Sequence, residues 1–270
     1  MIALPTTVNA QSSQSNTPWS EEFGGTSNLL VRDTAMGPNG NIYVLGEFVG
    51  TVTIGSTTLT SSGGADVFVA QISNKGTWNW AIRGGGSYDD MPFSIAVDNS
   101  GNAYIAGYFG DFTTYTGNVA STFGTSTIYS SYYYILDGFV AKISSNGAWS
   151  WAVNSPYDSI MSTNEGAAVF FDIEIMSNSD IRVGGGYVGD MYDGQSQLSS
   201  TMDTTGQSTF DGFIAKISTS GSWSNMYGSG GTGFEYFTEM TKSSTSIIAS
   251  FYYEDASTSL FGRSFSNSGM

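Results

Sequence analysis

The acidic side chains with the potential for chemistry recur at matched places. Asp89 and Asp90 follow Gly84-Gly85-Gly86, Glu165 and Glu235 stand near the corresponding positions further on, and Asp98 precedes the turn Asn99-Ser100-Gly101-Asn102. Two chemistries suit them. Calcium takes roughly six to eight oxygen ligands from carboxylates and carbonyls, which turns supply readily. A pair of carboxylates at a set separation, one with a raised pKa, suits acid–base cleavage of a glycosidic bond. The turn itself is the simpler use, because a short Asp side chain bonds to backbone amides two residues on. The dense Asp-x-Asp-x-Asp-Gly spacing of a calcium-binding loop is absent. Repetition also weighs against catalysis, since an active site needs asymmetry. These residues are therefore read as turn formers. Calcium stays open as the alternative, and no catalytic, cofactor-binding or metal-ligating residue is assigned.

A second group is aromatic. Tyr115, Tyr129, Tyr132, Tyr133 and Tyr134 sit among Ser, Thr and Gly, a composition that joins rigid aromatic area to adaptable hydrogen bonds and favours recognition. They are the candidate ligand-binding residues, for a protein or a glycan, although several also fit plain extension of a neighbouring strand. The runs Gly84-Gly85-Gly86 and Gly184-Gly185-Gly186 have neither a following helix nor a Lys, so they are turns and not phosphate loops.

Composition removes whole classes. There is no Cys and no His in 270 residues, which excludes disulfides, Cys- or His-based catalytic pairs and the usual zinc sites. A net charge of −15, from 23 acidic and 8 basic residues, repels phosphate backbones and anionic membranes, so nucleic acid is not an expected partner. No stretch approaches the roughly 18 apolar residues of a spanning helix, and membrane insertion is not expected. The segment Ile2 to Ala10 ends in Val8-x-Ala10 before Gln11-Ser12-Ser13. That is like the end of a secretory signal without its basic start and most of its apolar stretch. Residues 1–16 are expected to be a polar leader or a signal-peptide remnant.

The elements that must carry these residues are repeated. Asp-x-Phe-(Val/Ile)-Ala-(Gln/Lys)-Ile-Ser begins at Asp66, Asp137 and Asp211, at spacings of 71 and 74 residues. Each copy is followed by a Trp phrase: Gly76-Thr77-Trp78-Asn79-Trp80, Gly147-Ala148-Trp149-Ser150-Trp151 and Gly221-Ser222-Trp223. A third phrase, Ile95-Ala96-Val97-Asp98-Asn99-Ser100-Gly101-Asn102-Ala103-Tyr104-Ile105-Ala106-Gly107, reads as a hairpin, since Gly and Asn accept the positive φ of a tight turn. Each unit thus holds four short strands, and a fixed period of such units implies blades arranged radially. All six tryptophans fall in the outer-strand slot, where packing between neighbouring sheets is the expected role. The intervals Asn41 to Asp66, Asn102 to Asp137 and Asp180 to Asp211 are 25, 35 and 31 residues. This unequal loop between second and third strands is where function is expected on a rigid scaffold. Long helical periodicity is absent.

The phrases Asp-x-Phe-Val-Ala-Lys-Ile, Gly-x-Trp-x-Trp-Ala, Gly85-Gly86-Ser87-Tyr88-Asp89-Asp90 and Ile-Ala-Val-Asp-x-x-Gly-Asn-x-Tyr together resemble the SBBP β-propeller repeat of bacteria and archaea, over about residues 17 to 262. The resemblance implies a secreted or cell-surface propeller and transfers no catalytic residue. Its strand order puts the Ile-Ala-Val-Asp strand innermost and the Trp strand outermost. The expectation is an all-β chain with a β-propeller of four-stranded antiparallel blades over 17–270. About four are visible, near 29–84, 91–155, 165–228 and 234–270, with 17–24 as a closing outer strand. The segment Leu260 to Gly269 aligns with Thr53 to Gly63, ahead of a third strand, so a ring truncated from a larger one is favoured. Placing Phe261 to Gly269 over Phe68 to Gly76 is the rival alignment. The expected function is a non-enzymatic extracellular or cell-surface scaffold for protein or glycan, without a cofactor. A carbohydrate-active hydrolase or lyase using Asp and Glu is the alternative.

Overall fold

The Asp-x-Phe phrase becomes the third strand of three successive blades, and the phrases around it supply the other strands. The computed structural model describes residues 7–11, 18–22, 24–25, 28–110, 119–130, 136–156, 167–176, 180–203, 205–243, 246–254, 257–260 and 263–266. Blade 1 is β1 (Leu29–Met36), β2 (Ile42–Phe48), β3 (Asp66–Ile72) and β4 (Trp78–Gly86). Blade 2 is β5 (Asp89–Val97), β6 (Ala103–Gly110), β7 (Asp137–Ile143) and β8 (Trp149–Asn154). Blade 3 is β9 (Ala167–Ile175), β10 (Ile181–Val188), β11 (Asp211–Ile217) and β12 (Trp223–Gly230), and blade 4 has β13 (Glu235–Lys242) and β14 (Ile247–Tyr253). Within each blade every strand pairs antiparallel with the next. The fold is all-β and built of propeller blades. Its described helical content is one 3-10 turn, Pro38–Gly40.

Burial explains the strand chemistry. β3 is buried along its whole length, because blade neighbours cover both faces, and its sequence is accordingly a nearly continuous apolar run. Between blades 1 and 2, Tyr43, Leu45 and Val69 meet Ile95, Ile105 and Phe139. Between blades 2 and 3, Tyr104 and Val140 meet Ile173, Val183 and Phe213. Each fully buried Phe of this kind contributes roughly 1.5–3 kcal/mol. The contact of blade 3 with blade 4 is smaller and rests on Ile214, Phe237 and Met240. First strands pack on one another in series, β1 on β5, β5 on β9 and β9 on β13, so they line the inner side of the arc. Among the described residues no strand pairing joins blade 4 to blade 1.

The tryptophans hold neighbouring blades together. Trp149 Nε1 donates to the carbonyl of Arg83 in β4 at 2.9 Å, and Trp223 Nε1 donates to Asn154 O in β8 at 2.9 Å. Trp151 Nε1 likewise donates to Thr219 O of blade 3 at 3.0 Å, while Trp80 and Trp151 pack their rings within their own blades on Tyr43 and Tyr104.

The loops between second and third strands differ from the open recognition loops that their lengths suggest. Each carries a hairpin that reaches back to the chain preceding its own blade. Val52 and Thr53 of the Thr51–Ile54/Thr57–Thr60 hairpin pair with Gly25 and Gly24. Ser121 and Thr122 of the Ala120–Phe123/Ser126–Tyr129 hairpin pair with Gly86 and Gly85 of β4. Tyr192, in the hairpin Asp190–Tyr192/Gln197–Ser199, donates its N–H to Pro156 O after β8 at 2.6 Å. The signal lies in the alternation, since Val52, Ile54 and Leu59 are buried while Thr51, Thr58 and Thr60 are exposed. At the C-terminal side, Ser257–Leu260 pairs with Arg263–Ser266 and docks on Ser229 and Gly230 of β12. It occupies the slot of the other reach-back hairpins, so residues 263–266 do not form a third strand on β14. The leader expected over 1–16 includes a strand, Thr7–Gln11, that pairs with Pro18–Glu22. Pro18–Glu22, within the outer strand expected to close blade 4, has Thr7–Gln11 as its described partner.

Candidate functional site

A β-bulge interrupts the first strand of every blade at the same place: between Val31 and Asp33, Pro92 and Ser94, Phe170 and Asp172, and Phe237 and Glu239. A bulge sets two residues against one on the partner strand and re-aims a side chain. The bulged residues are Arg32, Phe93, Phe171 and Thr238. Opposite the first three bulges stands a glycine. A Cβ on Gly46, Gly107 or Gly185 would lie 2.2, 2.2 or 2.0 Å from the carbonyl oxygen of Leu30, Met91 or Val169. At these three bulges the close carbonyl dictates glycine, whereas Phe251 stands across from the fourth.

The re-aimed side chains meet across blades. Arg32 lies over the Phe93 ring at 5.8 Å, and Phe93 contacts Tyr108 at 5.7 Å and Phe171 at 5.4 Å. Phe171 meets Tyr236 at 5.3 Å, and Tyr236 stacks on Tyr252 at 5.0 Å. Phe210 and Phe234 extend the strip beside Tyr236. Phe93, Tyr108, Phe171, Phe210 and Tyr236 are half-buried, whereas Phe234 and Tyr252 are exposed. The result is a continuous aromatic strip over blades 2, 3 and 4, with the Arg32 guanidinium of blade 1 at its end.

Polar groups close both ends. Arg32 makes a two-pronged ion pair with Glu47, Nε to Oε2 at 2.8 Å and Nη2 to Oε1 at 2.7 Å. At the far end the Tyr252 hydroxyl donates to Glu254 Oε1 at 3.0 Å. Burial, then Asp89 and Glu47, push the Tyr108 phenol above its ordinary range, with Arg32 opposing them. Beneath the strip a polar thread ties the blades. Asp33 Oδ2 accepts from Ile95 N at 2.9 Å, Ser94 Oγ donates to Asp172 Oδ1 at 2.6 Å, and Asp172 Oδ2 accepts from Met240 N. Burial raises the Asp33 pKa, partly countered by the bonds from Ile95 N and Thr34 N. The carboxylates of the thread are engaged by the scaffold, so the strip is preorganised from below.

Of the residues expected from sequence, none of the described ones belongs to this strip. Tyr129 ends a reach-back hairpin with its side chain 55% exposed and its carbonyl accepting from Asn154 Nδ2 at 3.1 Å. Tyr115, Tyr132, Tyr133 and Tyr134 lie outside the described residues, as does Glu165. Asp98 is taken up by its own turn, accepting from Ser100 N, Asn102 N and Asn102 Nδ2 at 2.8 to 2.9 Å. Asp89 Oδ1 accepts from Ala65 N at 2.8 Å. Asp90 and Glu235 are fully buried at blade junctions. Among the described residues, no three acidic side chains gather as a metal-ion site. The strip is hidden in the sequence because it varies within a constant slot: Arg32, Phe93, Phe171 and Thr238 place three residue types at one repeat position. Variation there, inside otherwise matched strands, was the signal available.

Residues 68–108 match the family described as a beta-propeller repeat, SBBP. The matched unit runs through β3 and β4 of blade 1 into β5 and β6 of blade 2, so one sequence repeat spans one blade junction. No curated protein matches the chain.

Proposed function

The chain carries the SBBP beta-propeller repeat, and from that premise we propose that it is a secreted or cell-surface scaffold that binds an extended glycan without turning it over. The observation that carries this reading is the strip from Arg32 through Phe93 and Phe171 to Tyr236 and Tyr252. Aromatic faces stack on the apolar faces of sugar rings, and fixed half-buried rings lose little conformational freedom on binding. Glu47 and Glu254 at the ends accept hydrogen bonds from sugar hydroxyls. The charge of −15 selects neutral or amine-bearing chains over sulfated or uronic ones.

A panel of immobilised polysaccharides tests this. Retention on neutral or amino-sugar polymers, with no shortened products after long incubation, is the expected result. Release of oligosaccharides would instead make the protein a carbohydrate-active enzyme, and retention restricted to protein ligands would move the reading to protein recognition.

A further inference from the structure

The two ends of the arc show the two halves of one contact. Between blades 1 and 2 that contact is made by Tyr43 and Leu45 of β2, which cluster with Ile95 and Val97 of β5. Counted from the bulges, Thr34 and Met36 of β1 stand in the slots of Ile95 and Val97. By the same count Ile248 and Ser250 of β14 stand in the slots of Tyr43 and Leu45. Tyr43 and Ile95 are 1% and 5% exposed, whereas Ile248 and Met36 are 60% and 74% exposed. Thr34 and Ser250 are exposed beside them. We propose that two copies of this chain join head to tail, blade 4 of each on blade 1 of the other, and close one ring.

The open areas match in extent. Blade 4 offers its two inner strands, β13 and β14. On blade 1 the outer half is already covered, since Phe68, Ala70 and Ala81 are buried with Val52, Ile54 and Leu59 of the Thr51–Ile54/Thr57–Thr60 hairpin. What stays open there is the inner strand, at Thr34 and Met36. The polar thread ends at the same place. Asp33, Ser94 and Asp172 each bond a neighbouring blade from one repeat slot, and Glu239 in that slot is exposed. In the ring its carboxylate would face the Thr34 hydroxyl of the second copy, a donor.

Each copy carries both faces, so the contact is heterologous, and it gives a closed ring when the rotation between units closes. The new junction continues the series of first strands that runs β1 on β5, β5 on β9 and β9 on β13. Two arcs of four blades stay within the roughly four to eight blades typical of propellers. Burying Met36 and Ile248 removes apolar surface from water at both junctions. Tyr252 stands in the slot of Tyr108, which is half-buried with a next blade in place, so closure leaves the aromatic strip open. The dimer does not depend on the glycan reading.

The test is sedimentation equilibrium of the full chain at physiological salt, which screens the like charge of two copies. Mass is expected to rise with concentration from 28.6 kDa to twice that value and no further. Met36→Glu and Ile248→Glu are each expected to weaken association by about a hundredfold or more, because either one spoils both linked junctions. An equimolar mixture of the two variants keeps one intact junction, Ile248 of the first against Met36 of the second. It is expected to recover a hetero-dimer that neither variant forms alone. Ser250→Lys, on the same face, takes the place of Ile248→Glu should that variant fail to fold. A wild-type mass fixed at one chain overturns the proposal, and so do masses that climb past two copies. A mixture no more associated than its components also overturns it, since it would mean a symmetric contact elsewhere.

Discussion

Asp90 and Asp98 are eight residues apart on one hairpin, yet only one of them was legible from sequence. Asp98 serves its own turn, and that use depends on Ser100 and Asn102, two and four residues on. Asp90 depends on Gly86, four residues back, but also on Ser121, which a hairpin 31 residues on brings to it. Its long-range environment gives a signed prediction. In the unfolded chain Asp90 releases its proton near the ordinary 3.8, whereas the folded protein holds it to about 7. The folded state therefore binds more protons between those values, and stability falls as pH rises through that window. Thermal melts should show Tm declining from pH 5 to pH 8, and Asp90→Asn should flatten the decline. A wild-type Tm that climbs over the same range would contradict the sign.

At the scale of elements, the bulge and the reach-back hairpin govern the architecture more than strand count does. Strand identity followed from alternation and from the Asp-x-Phe and Trp phrases, which is local information. The bulge was hidden because the Met91 carbonyl it sets against Gly107 is visible only once register is known. The prediction is direct: in Gly107→Ala the new methyl meets Met91 O, 2.2 Å away. Overpacking of this kind costs about 1–3 kcal/mol, and chemical denaturation should show that loss together with weaker ligand binding through displaced Phe93. Trp149 makes a complementary case. It donates to Arg83 O and packs on Phe123 of the hairpin, so Trp149→Ala should cost roughly 3 kcal/mol, while Trp149→Phe should recover much of it. Equal losses in the two variants would mean that the hydrogen bond, and not the packing, dominates the staple.

For the whole molecule, the period of 71 and 74 residues made the radial repeat legible before any coordinate was known. Closure was not legible, because it depends on which surfaces meet and not on strand sequence. Stability in such an array is close to a sum of blade terms and neighbour terms. Blade 2 is covered on both sides, whereas Ile248 and Tyr252 of blade 4 are 60% and 41% exposed. Exchange at fixed mildly acidic pH should therefore be slowest in β6 and β7 and fastest in β14, and a uniform pattern would show one cooperative unit instead. Loops are expected to carry function because they vary in length; their described hairpins dock on preceding strands, and a further variable surface lies on the inner strands. The most direct measurement is the affinity of the retained glycan for Phe171→Ala, Tyr236→Ala and Tyr129→Ala, each first shown to be folded. A loss of roughly five- to 150-fold is expected for the first two, from about 1–3 kcal/mol per lost stacking contact, and unchanged affinity for Tyr129→Ala. Loss confined to Tyr129→Ala would place the ligand on the hairpin and contradict the assignment of the strip.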